Sequence, residues 1–225
     1  MRVLRLLALL LLLPVAAPAE TVTNAWPPFD EADSDPSFKA YRDKLLAAID
    51  KRDVAAVVAM ADPNIKLSFG DDSGRERFRE WLTGADAEPY WTALKRVVSE
   101  GGKFEETGMF VAPWAFHYMP PEDSDFYNVA VVAGKNVRLR AAPSTDAAIL
   151  RELSYAVVEV PPWQEGREDR VTDGSGREWI RVQVLDDRKE GWIASTYLRF
   201  LIDYRAGFVK TDTGEWQMTF FLAGD

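Results

Sequence analysis

The 225-residue chain contains no cysteine, which excludes disulfides, thiol nucleophiles and thiolate metal sites. It contains one histidine, His117. Any site built on two imidazoles is therefore excluded, while a Ser–His–Asp triad or a lone ligating imidazole stays open. Gly-rich phosphate loops and the HExxH and GxSxG patterns are missing too. After residue 19 no segment is long and apolar enough to span a bilayer, which takes about 20 residues. Basic residues are few, with 27 Lys and Arg against 36 Asp and Glu, for a net charge of −9. Such an acidic chain is a poor partner for nucleic acid, where cations must displace counterions along phosphates. It is equally ill suited to adhesion on anionic lipid, and the acidity is most simply a device for solubility.

Apolar residues are plentiful, at 47% hydrophobic and 12% aromatic, so the chain can bury a core and disorder is not expected. Residues 1–19 have the three parts of a secretory signal peptide: Arg2 and Arg5, the apolar run Leu6 to Leu13, and Ala17-Pro18-Ala19. Cleavage there predicts a mature chain of residues 20–225, about 206 residues, enough for two ordinary domains. Loss of the two arginines takes its net charge from −9 to −11. The expected location is periplasmic or secreted, with no membrane insertion after cleavage.

Residues 20–34 mix Pro-Pro with acidic and small residues and are expected to form a flexible leader. Asp35-Pro36 supplies an N-cap and a first-turn proline, and Phe38, Tyr41, Leu45 and Ile49 then recur on one helical face. Asp53 caps a short second helix expected to end near Asp62-Pro63, since a residue before proline is pushed out of the helical region. Ile65, Leu67 and Phe69 alternate with polar residues as in a half-buried strand. Ser73-Gly74-Arg75-Glu76 matches a capping box, with Phe78, Trp81 and Leu82 on the buried side of a third helix. Tyr90, Trp91, Leu94, Val97 and Val98 mark a fourth, stopped at Gly101-Gly102. Met109 to Met119 is expected to be strand, interrupted at Pro113. The stretch RDVAAVVAMADPNIKLSFG, residues 52–70, takes a short helix through Asp-Pro into a strand. In this it resembles the α+β cone fold shared by nuclear-transport-factor-like and SnoaL-like proteins. The resemblance implies helices on a curved antiparallel sheet over residues 35–128.

Farther on, Asn136-Val137-Arg138-Leu139-Arg140 leads into Ala141-Ala142-Pro143, a tryptophan-led strand runs from Trp179 to Val184, and Gly191-Trp192-Ile193 precedes Tyr197-Leu198. These residues, in this order, resemble the bacterial SH3-type (SH3b) domain, implying a small all-β barrel at residues 129–200. The charged stretch 161–176 departs from the family, which often has a tight connection there. Residues 201–225 carry two alternating runs around Asp212-Thr213-Gly214, a β-hairpin. Two strands alone are marginal in water, so the hairpin is expected to return to the N-terminal α+β domain and complete its sheet. The expected fold is thus two-domain, with the barrel inserted into the first domain.

His117 is a candidate general base, or more simply an ordinary sheet histidine. The acidic doublets Asp71-Asp72, Glu105-Glu106 and Asp186-Asp187 could in principle pair as glycosidase carboxylates, but their turn-like settings suit solvated loops better. Asp71-Asp72-Ser73-Gly74 lacks the ligand positions of a calcium loop. No catalytic set, metal site or cofactor is assigned. On the Trp179 strand, Ile180, Val182 and Val184 face one way and should fill the barrel, which leaves Trp179 on the other face. With Trp163 and Tyr197 it could form an aromatic platform for a peptide or sugar face. Packing of Trp163 and Trp179 beneath the long loop is the alternative, and Trp192 reads as core. The SH3b resemblance implies a non-catalytic module that binds peptidoglycan or an envelope protein. A small ligand or weak chemistry inside the cone, with the barrel for positioning, is the second reading. An interior filled by Trp81, Trp91, Phe110 and Trp216 would favour the first.

Overall fold

A computed structural model describes residues 24–120, 122, 124–161 and 165–224. The helices come first. Asp35 accepts from the amides of Ser37 and Phe38 and starts α1 (Pro36–Asp50), and Asp53 caps α2 (Val54–Ala59) through the Ala56 amide. After β1 (Ala61–Lys66) come α3 (Arg75–Thr83) and α4 (Ala87–Ser99), then β2 (Lys103–Phe104) and β3 (Phe110–Ala112). Eight strands follow: β4 (Val129–Val132), β5 (Val137–Arg140), β6 (Ile149–Leu153), β7 (Val157–Glu159), β8 (Arg170–Thr172), β9 (Glu178–Val184), β10 (Glu190–Ala194) and β11 (Leu198–Phe200). The chain ends in β12 (Arg205–Lys210) and β13 (Trp216–Leu222).

The fold is mixed α+β with two sheets. The first has the order β1-β13-β12-β3-β2, so the C-terminal hairpin supplies its two central strands. Ala206 stands opposite Ala112 and Phe208 opposite Phe110, although residues 129–200 lie between those strands in the chain. One face of this sheet meets the helices, and Phe38 of α1 sits at the centre of the contact. Its ring centroid lies 4.3 Å from Phe110, 4.9 Å from Trp216, 5.5 Å from Phe208 and 5.6 Å from Phe104. The second sheet runs β11-β4-β7-β9-β10-β5-β6, with β8 paired to β9. Its own apolar interior includes Leu139, Leu153, Val158, Ile180, Val182, Val184 and Ile193.

Several expectations require correction. The aromatic side chains expected inside the first domain need only a refinement, since Trp91, Phe110 and Trp216 share its buried core and Trp81 packs against it from the helical side. Trp81 stacks on Tyr90 at 4.6 Å, and Trp91 Nε1 donates to the Leu82 carbonyl at 3.0 Å. The sheet is not wholly antiparallel, since β1 pairs parallel with β13. Helix α2 stops at Ala59, and Asp62-Pro63 lies inside β1 because pairing with β13 outweighs the local stop signal. Phe69 is 59% exposed. Ser73 does not cap α3. Gly74 does, at φ 91°, and its amide is held by the Ile65 carbonyl, a partner outside the local sequence. Beyond β3 the chain turns through a 3-10 segment at Trp114–His117 instead of continuing as strand.

The leader is pinned from Asn24 onward rather than flexible. The Trp26 amide donates to the Tyr155 carbonyl, and its ring stacks on Tyr118 at 4.8 Å. The Glu31 amide donates to Gly102, and Arg42 clamps Asp30 through two hydrogen bonds at 2.8 and 2.7 Å. Buried aromatic area and a bidentate ion pair thus offset the entropy of ordering about ten residues. The strap touches both sheets. At the other end of the junction, Arg96 meets Asp203 at 2.7 Å and Arg199 meets Glu100.

Candidate binding groove

Strand β9 alternates as its sequence demands, with Ile180, Val182 and Val184 buried in the second sheet's interior. Trp179 faces the other way, yet it is only 3% exposed. Its cover comes from neighbouring strands. Ala194 stands directly opposite it on β10 and leaves room for the indole, Trp192 packs beside it, and Val171 of β8 closes the group. Trp192 is buried as expected, but in this outer cluster, with Arg181 4.9 Å above its ring. The glycine of the Gly191-Trp192-Ile193 motif has a packing reason. A Cβ there would meet Leu139 Cγ at 2.6 Å and the Arg140 carbonyl oxygen at 2.9 Å, so only glycine lets β10 approach β5 this closely.

The charged stretch 161–176 is not all loop, because β8 pairs with β9 and makes a hairpin. Asp173 holds its turn. The carboxylate accepts from the Ser175 hydroxyl at 2.6 Å, the Ser175 amide at 2.9 Å, the Arg177 amide at 3.1 Å and Trp179 Nε1 at 2.8 Å. Those hydrogen bonds, led by the Ser175 hydroxyl and the indole, hold the Asp173 carboxyl far below the usual carboxylate range. The turn in turn places the Arg177 guanidinium 5.8 Å from the Trp179 ring.

A groove of about 510 Å³ opens beside this cluster. It is lined by Trp179, Tyr197, Lys135, Arg138, Arg140 and Arg177, with Asn136, Val137, Thr145, Ala194 and Thr196 completing the wall. Tyr197 is 46% exposed. Of the three expected site residues, Trp179 and Tyr197 are therefore brought together, with Trp179 as wall rather than open platform. Trp163 lies outside the described residues. The cations were not singled out from sequence, although the signal was there: period-two alternation along Val137 to Arg140 puts Arg138 and Arg140 opposite the buried Val137 and Leu139. The turn bringing Lys135 and Arg177 to the same opening is tertiary.

The lining holds four cations and no carboxylate, in a chain of net charge −9. Arg138 is 3.8 Å from Glu152, and Arg140 donates to the Ala147 carbonyl at 2.8 Å. Among the described residues, Lys135 and Arg177 have no ion-pair partner. A second cation-rich concavity differs in this respect. It has a volume of about 530 Å³ beside Trp91 and is lined by Arg52, Lys95, Arg96 and Arg199, each matched to Glu88, Asp50, Asp203 and Glu100 respectively. Its charges are already neutralised.

His117 is almost closed off from solvent. Its side chain is 4% exposed, Nε2 donates to the Val111 carbonyl at 2.9 Å, and Nδ1 lies 3.2 Å from Glu105. Burial pushes the imidazole below its ordinary value, against the pull of Val111 and Glu105. The doublets are likewise engaged: Asp72 with Arg77 at 2.8 Å, Glu105 with His117, and Asp187 with Arg151 at 2.7 Å. Among the described residues, no group of three or more His, Asp or Glu side chains is placed to hold a metal ion.

No protein-family model matches the chain, and no curated protein matches it. Solved structures that align with it include a ketosteroid isomerase-like protein from Erwinia carotovora atroseptica, at 12% identity and TM-score 0.26, over 86% of this chain and 95% of that one. Another is an NTF2-like protein with a cystatin-like fold from Novosphingobium aromaticivorans, also at 12% identity and TM-score 0.26, over 85% and 80%. Likeness at this level carries no argument about what the chain does.

Proposed function

We propose that this is an exported, non-catalytic binding protein whose SH3b-type barrel, residues 129–200, docks on peptidoglycan or an envelope protein. The observation that carries the reading is the open groove in which exposed Tyr197, the Trp179 edge and unpaired cations converge. An aromatic wall beside fixed donors suits an extended chain with alternating apolar and polar groups. The second reading, a ligand within the cone, gains nothing from the ring cluster around Phe38 that occupies the space between α1 and the first sheet.

The test is co-sedimentation of residues 20–225 with purified sacculi at moderate salt, beside the Tyr197→Ala variant. Tyr197 is the right probe because it is exposed, whereas removing buried Trp179 would test the fold. The expected result is binding that weakens about five-fold in the variant, the worth of one partly exposed aromatic contact. Absence of binding both to sacculi and to any component of an envelope extract would overturn the proposal.

A further inference from the structure

The groove's charge says more than its shape. We infer that its occupant is an acidic peptide segment, held through carboxylates by Lys135 and Arg177 and flanked by Arg138. This inference rests on the groove being the docking site. An acidic chain that gathers four cations and no carboxylate around one opening sets up a local field opposite to its overall charge. Lys135 comes from the turn before β5 and Arg177 from the turn before β9, so two separate segments each contribute one unneutralised charge. Each of these two points can take one carboxylate of an extended peptide. A guanidinium adds the planar fork that fits a carboxylate with two hydrogen bonds. The exposed ring of Tyr197 meets the peptide's aliphatic parts, which a bare phosphate polymer lacks. The net charge of the whole chain repels such a peptide at long range, but screening beyond about 8 Å at physiological salt leaves the groove's own cations dominant at contact.

The experiment measures anisotropy of fluorescein-labelled tetraglutamate and tetraglutamine on residues 20–225 and on the Lys135→Glu and Lys135→Ala variants, with linear polyphosphate as competitor. Melting curves confirm that each variant is folded. In parallel, sacculi are sedimented with the protein before and after amidation of their carboxylates. Tetraglutamate should bind about ten-fold more tightly than tetraglutamine, and Lys135→Glu should weaken it about five-fold with an unchanged melt, Lys135→Ala falling between. Equal affinity for the two peptides, or unchanged affinity in folded Lys135→Glu, overturns the inference. Polyphosphate displacing the peptide at lower charge concentration than unlabelled tetraglutamate overturns it in favour of a phosphate polymer. Sacculi bound equally before and after amidation would leave wall docking standing while the carboxylate inference falls. Tetraglutamate binding without binding to sacculi or envelope extract would support the inference and sink the docking reading.

Discussion

Ending the chain at Leu201 removes β12 and β13 while keeping every residue of α1–α4 and of the second sheet. Phe208, Met218 and Phe221 are at most 1% exposed and Trp216 is 8% exposed. At about 1.5–3 kcal/mol each, these four side chains account for roughly 6–12 kcal/mol, an upper figure because unfolded chains already bury some apolar surface. That is the size of a whole domain's stability, about 5–15 kcal/mol. The truncation also strips main-chain partners from both β1 and β3, leaving Phe38 to face water. The second sheet's interior is built from residues 130–198 and loses nothing. Far-UV circular dichroism and limited proteolysis of residues 20–201 should therefore show the helical signal lost and residues 36–112 cleaved. A cooperative transition from the second sheet should survive, with protection of its buried Trp179 and Trp192. A truncated chain with full helical signal and a cooperative helical melt would refute this account of what holds the helices.

Two further outcomes follow from close contacts and buried charge. At Gly102 an added Cβ would sit 2.0 Å from the Val111 carbonyl oxygen, a main-chain atom that cannot rotate away. Gly102→Ala should cost about 2–3 kcal/mol and lower the melting temperature by about 5–10 °C. Gly70→Ala, with its nearest atom at 3.6 Å, should stay within about 0.5 kcal/mol, and indistinguishable melts would refute the packing argument. Burial pushes the Glu100 carboxyl above its ordinary value, outweighing the attraction of Arg199 and Arg96. A raised folded-state value means that this group favours the fold at low pH and disfavours it as pH rises through that value. The stability of Glu100→Gln relative to wild type, from urea midpoints between acidic and neutral pH, should thus increase with pH; a decrease would show that the Arg199 pairing dominates.

Whatever depends on neighbours a few residues away was legible in the amino-acid order. The Asp35-Pro36 start of α1, the Asp53 cap, the burial of Phe38, Leu45 and Ile49, and the period-two split of β9 all follow from local hydrogen bonds and side-chain direction. Even the requirement that hairpin 205–222 find a larger sheet is a statement about the marginal stability of two strands. Tertiary structure alone decided the features that need a distant partner. The Ile65 carbonyl takes the Gly74 amide and displaces Ser73 as cap, and pairing with β13 draws Asp62-Pro63 into a strand. Trp26 and Phe29 turn an apparently loose leader into a strap because aromatic surfaces more than eighty residues away receive them. The groove shows the same division. Alternation could place Trp179 away from the second sheet's interior, but Ala194, Trp192 and Val171 decided that it would be covered. Likewise Arg138 and Arg140 are legible on one strand face, whereas their meeting with Lys135, Arg177 and Tyr197 depends on turns that no local propensity relates to one another.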